Sequence, residues 1–176
     1  MMSRATIIEA LRSCSQPSTA SVRPNTAPIG NGYSNFVSLH PSMPYLLDAQ
    51  TCLALLADVP SVRQRYEPLS TSCFTSSLVY ADLYSAACTL PNEAERLADL
   101  ERLQNFLYPI DFDRSHAREY SRIVKELRAG GHEPPRLLAA LVAAIARATK
   151  STLVTAEPEA FLPIGGLRVE NWFSSL

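Results

Sequence analysis

The 176-residue sequence contains no CxxC pair, and its three histidines stand apart from one another. A zinc site needs clustered thiolate and imidazole ligands, so this pattern argues against one. The four cysteines, Cys14, Cys52, Cys73 and Cys88, are irregularly spaced. Cys52, Cys73 and Cys88 sit in apolar runs and are expected to be small core residues, the common fate of free thiols. A reducing cytoplasm suits them. No stretch of about 18 uncharged apolar residues exists, so no membrane span is expected. The N-terminus lacks an apolar h-region, so no secretory signal is expected either. A surplus of charge is also missing: 16 Lys and Arg oppose 17 Asp and Glu, for a net charge of −1. No global basic field advertises nucleic acid. An acidic site nevertheless reaches phosphate through a metal rather than through Lys or Arg, so nucleic acid stays open.

Apolar residues make up 47% of the chain, enough for one sizeable core with appendages. Residues 3–12 place Ile7, Ile8 and Leu11 on one face of a short helix. From Ser13 to Pro44 the composition turns to Ser, Thr, Pro, Asn and Gly. Such a segment buries too little to offset its ordering entropy and is expected to be flexible. Met43 stands just before the first strand and is a candidate translation start. The expected organisation is an extension over 1–42 and a folded domain over 43–176.

Within the domain, short apolar runs alternate with helical patterns. Strands are expected over Tyr45–Asp48, Cys73–Thr75, Tyr108–Phe112, Thr152–Thr155 and Leu167–Val169. Helices are expected from Thr51 to Tyr66 in two pieces, from Ser76 or Ser77 to Ala87, and from Asn92 to Leu107. A further helix starts at Asp113 or Ser115 and ends at Gly130-Gly131, and another runs from Leu137 to Ala148. The last is apolar nearly all round, so it should be covered on most sides. Strand–helix alternation predicts an α/β fold, a three-layer sandwich with a central, mostly parallel sheet.

Most acids belong to solvated helix faces. Three stand in apolar surroundings, where an unpaired charge is costly. Asp48 ends a buried strand, Asp82 is the single charge in Leu78–Ala87, and Glu157 follows the Leu153-Val154-Thr155 strand by two residues. Ligands of open parallel sheets bind beyond the strands' carboxyl ends, where Asp48 and Glu157 fall. Oxygen ligands without His or Cys favour Mg²⁺ or Mn²⁺. Plainer roles compete: Asp48 as a helix cap, Asp82 as the partner of Arg122 or Arg136, Glu157 as a turn residue.

The order of these stretches resembles the PIN-domain ribonucleases, specifically the VapC-type toxins of bacterial toxin–antitoxin pairs. The resemblance is carried by Tyr45-Leu-Leu-Asp48, Thr75–Ala87, Leu137–Ala148, Thr152-Leu-Val-Thr155 and Leu167-Arg-Val-Glu-Asn-Trp172. It implies a metal-dependent RNA endonuclease using Mg²⁺ or Mn²⁺, with an RNA substrate, a cognate antitoxin, a homodimer, no membrane and a cytoplasmic location. The resemblance transfers the first acid to Asp48, the second to Asp82, one methylene shorter than the usual Glu, and the fourth to Glu157. The third falls on Ala139, which has no carboxylate, and Glu133 is the nearest upstream acid. The family's Thr-Asn after the first acid is Ala49-Gln50 here. These departures imply either a weakened nuclease or an inactive domain that only binds protein or RNA.

Overall fold

Strand β1 (Tyr45–Leu47) is the middle of a five-stranded sheet ordered β3-β2-β1-β4-β5. Its neighbours are β2 (Cys73–Ser76) and β4 (Thr152–Val154), while β3 (Pro109–Ile110) and β5 (Arg168–Glu170) form the edges. Every pairing is parallel. Leu46, Leu47, Phe74, Leu153 and Val154 are wholly inaccessible, as continuous apolar strands covered on both faces must be. The structure is a computed structural model that describes residues 44–89 and 91–173. The expected extension over 1–42, its helix over 3–12, Cys14 and Met43 lie outside the described residues.

Among the described residues, six helices flank the sheet: α1 (Ala49–Leu56), α2 (Pro60–Leu69), α3 (Ser77–Ala87), α4 (Glu93–Gln104), α5 (Arg114–Ala129) and α6 (Leu137–Ala148). Their boundaries follow local chemistry. Ser76 caps α3 by accepting a hydrogen bond from the Val79 N–H. Asn92 adopts a left-handed conformation (φ 65°), which Asn tolerates better than most residues, just before α4. β3 shrinks to two residues where five were expected, because Pro109 brings no N–H to the ladder and suits only an edge.

Helix α5 is closed at both ends. The Asp113 carboxylate accepts from the Ser115 and His116 N–H groups at 2.8 and 3.1 Å, and the Asp113 N–H donates to His116 Nδ1 at 3.1 Å. This is a capping box with histidine in the usual Glu/Gln place. At the other end Gly131 (φ 73°) lets the His132 N–H reach the Leu127 carbonyl at 2.8 Å. α5 packs along α6, where Arg147 bridges Glu119 (2.6 Å) and Glu126 (2.5 Å).

Two sequence expectations need correction. Cys52 and Cys73 are buried, but Cys88 is exposed, because it follows the last buried residue of α3 and sits on the helix end. α6 is buried at Ala140 and from Val142 through Ala146, yet its first residue is not covered: Leu137 is 63% exposed. An all-apolar helix sequence does not reveal which end lacks a neighbour.

The capping box generates a pH prediction. Burial pushes the His116 pKa below its ordinary 6.5, with Asp113 opposing, and an accepting Nδ1 requires the neutral ring. The unfolded chain therefore takes up a proton first. Stability is whole above about pH 6.5 and declines as pH falls below it. His116→Gln should keep the box and flatten the decline in melting temperature between pH 7 and pH 5. Identical pH profiles for the two proteins would refute this coupling.

Candidate acidic site at the switch point of the sheet

From β1 the chain crosses toward β2 and β3; β4 lies on β1's other side and leads away to β5. The crevice between β1 and β4 is thus the sheet's topological switch point, where the carboxyl ends of parallel strands leave room for ligands. Asp48 closes β1 there, and Thr155 and Glu157 follow β4.

Asp48 is held from three directions. Its N–H donates to the Val154 carbonyl at 3.2 Å, anchoring it across the β1–β4 gap. Its Oδ1 accepts from the Thr51 N–H at 2.8 Å and from the Thr51 hydroxyl at 2.7 Å. That hydroxyl also lies 3.1 Å from the Val154 carbonyl. The Thr155 side chain hydrogen-bonds the same carboxyl group. Thr155 in turn accepts from the Glu157 N–H at 3.2 Å, and its own N–H donates to the Glu170 carbonyl at 3.0 Å. Asn171 ties the Ala156 carbonyl at 3.2 Å, so the ends of β1, β4 and β5 form one hydrogen-bonded rim.

Asp48 therefore caps α1 and also belongs to the acidic rim. Burial pushes its pKa up; the hydrogen bonds from Thr155 and Thr51 pull it down, and the Glu157 charge raises it again. Asp48 and Glu157 thus sense one another. Asp82 lies exposed on α3, one and a half turns into the helix that follows β2. Ala139 stands half-buried in the first turn of α6, a turn with no acid and no capping side chain. Glu133 is exposed in the preceding loop. Among the described residues, no group of three or more His, Cys, Asp or Glu side chains is already disposed to hold a metal ion.

Thr51 and Thr155 are the residues that sequence reasoning missed. With Ala49 after the first acid, the family's hydroxyl seemed lost. The structure supplies hydroxyls to Asp48 from three residues onward and from the end of β4. A threonine at the third helical position after an Asp cap was the available signal. A second feature lies in the same turn of α1: the Gln50 Oε1 is buried and has no hydrogen-bond partner among the described residues. A buried orphan acceptor costs roughly 1–3 kcal/mol unless something donates to it or a cation meets it.

A parallel sheet in this order, with Asp48 at its switch point, defines an open α/β domain, and comparison narrows the class. The description of the PIN domain matches residues 45–162, and the chain belongs to the PIN-domain family. Its relatives place it in the VapC type. A tRNA(fMet)-specific endonuclease VapC from Shigella flexneri is 27% identical over 129 residues, covering 73% of this chain and 97% of that one. A chain of VapBC2 from Rickettsia felis, solved with a DNA fragment from its promoter, superposes with a TM-score of 0.67 at 26% identity, covering 74% of this chain and 99% of that chain. A chain of DNA-bound VapBC from Salmonella typhimurium superposes with a TM-score of 0.69 at 24% identity, covering 74% and 98%, and supports the fold.

The hydroxyl network generates a prediction. Thr51→Val should raise the Asp48 pKa further, because a lowering hydrogen bond is lost, and should destabilise the fold by about 1–2 kcal/mol through the lost side-chain bonds. Carbon-detected NMR titration and urea unfolding read the two effects. An unchanged Asp48 pKa would show that the Thr51 hydroxyl does not hold the carboxylate.

Proposed function

We propose that this protein is an RNA endonuclease of the toxin kind, acting through a divalent cation at the acidic end of the sheet. One observation supports the reading: Asp48 and Glu157, 109 positions apart in sequence, both follow strands that end at the switch point, and the Glu157 charge adds to the burial that disfavours ionisation of Asp48. A cation between them offsets that cost. The named relative acts on a tRNA, so structured RNA is the substrate class we assign.

The donor set fits a hard cation by its chemistry: carboxylate oxygens from Asp48 and Glu157, to which we add Asp82 of α3 as a third candidate, and no thiol or imidazole among them. Mg²⁺ or Mn²⁺ bound there would supply a deprotonated water and neutralise phosphate charge. The chain's own residues do the positioning. Thr51 and Thr155 fix the Asp48 carboxylate, the Thr155 hydroxyl fixes the Glu157 backbone, and Asn171 holds the loop between them. Ala139 contributes no ligand, so the site is a weakened one, by a factor on the order of 10²–10⁴. A cognate antitoxin is the partner we assign, since the solved relatives are VapBC complexes. A homodimer and a cytoplasmic location go with this reading. The binding-only alternative rests on Ala139 and on the acid-free first turn of α6.

Three measurements test this. Purified protein should cleave tRNA with Mg²⁺ or Mn²⁺, lose the activity to a chelator, and lose at least a hundredfold in rate on Asp48→Asn. Activity indifferent to both chelator and substitution sinks the proposal. Ala139→Asp should stabilise the fold by about 0.3–1 kcal/mol, because it places a carboxylate at the unshielded N-terminus of α6. If that position belongs to the metal site, cleavage should also rise tenfold or more. A stability gain without faster cleavage would separate Ala139 from the site.

A further inference from the structure

The end of the sheet opposite the acids is basic. Arg147, Lys150, Ser151, Gly166 and Arg168 line a recess of about 230 Å³ where α6 ends and β4 and β5 begin. Arg147 is neutralised by Glu119 and Glu126 and also donates to the Gly165 carbonyl at 3.0 Å. Arg168 donates to the Lys150 carbonyl. Lys150 is exposed and makes no ion pair among the described residues. The basic character continues along the sheet. Arg168 and Arg65 of α2 both act on Tyr45, with Glu170 as the opposing charge.

The backbone makes Lys150 an unexpected choice. α6 ends with the Lys150 N–H on the Arg147 carbonyl at 3.2 Å and the Ser151 N–H on the Ala146 carbonyl at 2.8 Å. This is the motif that ends α5, and it demands a left-handed residue at the same place. α5 uses Gly131 there; α1 closes the same way on Asp58 (φ 55°), whose carboxylate pairs with Arg63, whereas α6 uses Lys150, with φ 57° and no ion pair among the described residues. A lysine in that conformation is strained, and it stands among other cations. The helix dipole attracts a positive charge to this end and accounts for Arg147. It does not account for a lysine where glycine closes the same motif without strain.

We infer that the recess of Lys150 and Arg168 holds a backbone phosphate of the RNA whose cleaved bond lies at the acidic end. This rests on the ribonuclease reading above. Arg168 is in register with Tyr45, three residues before Asp48 and two strands away. At about 3.3 Å per residue and about 4.8 Å per strand, the backbones at the two sites are roughly 14 Å apart. An RNA strand spans that within a few nucleotides. With the acidic end holding a cation that would meet the reacting phosphate, and Lys150 and Arg168 holding a neighbouring one, the protein needs no overall positive charge to hold RNA.

RNA binding is measured in chelator, across a salt series, with the tRNA that the protein cleaves. Lys150→Gly should raise the melting temperature yet weaken binding about three- to tenfold, and the slope of log affinity against log salt should fall by about 0.7–0.9. Lys150→Arg should retain the affinity, and Lys125→Gln on α5 should leave the slope alone. If Lys150→Gly binds RNA with unchanged affinity and slope, the inference is overturned while the ribonuclease reading stands. If inorganic phosphate protects the unsubstituted protein but not Lys150→Gly, with RNA binding equal, the recess serves a small anion and the inference is again overturned. Failure of the unsubstituted protein to bind any RNA would remove the ribonuclease reading itself.

Discussion

The carboxylate of Asp48 is the constraint on which the acidic end depends. It terminates the central strand, caps the helix that follows, and shares hydroxyl donors with the neighbouring strand. A cap needs an ionised or strongly accepting oxygen, whereas burial and Glu157 oppose ionisation. The two demands are reconciled by donors that stay fixed in the fold: the Thr51 N–H, the Thr51 hydroxyl and Thr155. The pre-set hydrogen bonds hold one carboxylate oxygen in place, so the group need not reorganise when a charge arrives. That is how a structural cap also presents a pre-oriented carboxylate at the switch point of the sheet.

The scaffold behind it is rigid for ordinary reasons. β1 and its neighbours are buried on both faces, and the Trp172 indole packs 5.4 Å from the Tyr45 ring while donating to Glu170 at 2.9 Å. The C-terminal segment thereby clamps the start of β1, and Asn171 clamps the loop after β4. Displacing β5 would loosen Thr155, whose N–H is paired to Glu170, and through Thr155 it would loosen Asp48. The last strand therefore reaches the site by way of the rim.

Much of this was legible in the residues. Apolar strands ending in polar turns gave the parallel α/β sheet, and the bounds of α6 from Leu137 to Ala148 agree residue for residue. Strand lengths were less legible, because the Asp48 and Asp113 helix caps close the space for pairing sooner than hydrophobicity does. Cys88 and Leu137 were misjudged as core for one reason: a one-dimensional apolar run does not show where packing stops. At the site, the location of Asp48 and Glu157 after neighbouring parallel strands followed from the rule that such strands present their carboxyl ends together. The two threonines escaped notice because hydroxyls lack the charge and cost of burial that draw attention to acids. The place of Asp82 relative to the pair was not legible, since a helix can carry a residue toward or away from a strand end within a single turn.

Net charge was the least informative quantity, and the fold explains why. A value of −1 is consistent with a bland surface or with two opposed clusters. In a parallel sheet every strand starts at one end and finishes at the other, so residues before and after strands are sorted automatically. Here Asp48 and Glu157 follow strands, while Lys150 precedes β4 and Arg168 opens β5. The topology thus converts local sequence position into a dipole along the strand direction, with almost no net charge to betray it. Within a Debye length of about 8–10 Å, an approaching phosphate chain responds to the nearer cluster rather than to the sum. A polyanion near a protein built this way is repelled by the cluster of its own sign and attracted by the other, a difference that net charge does not report.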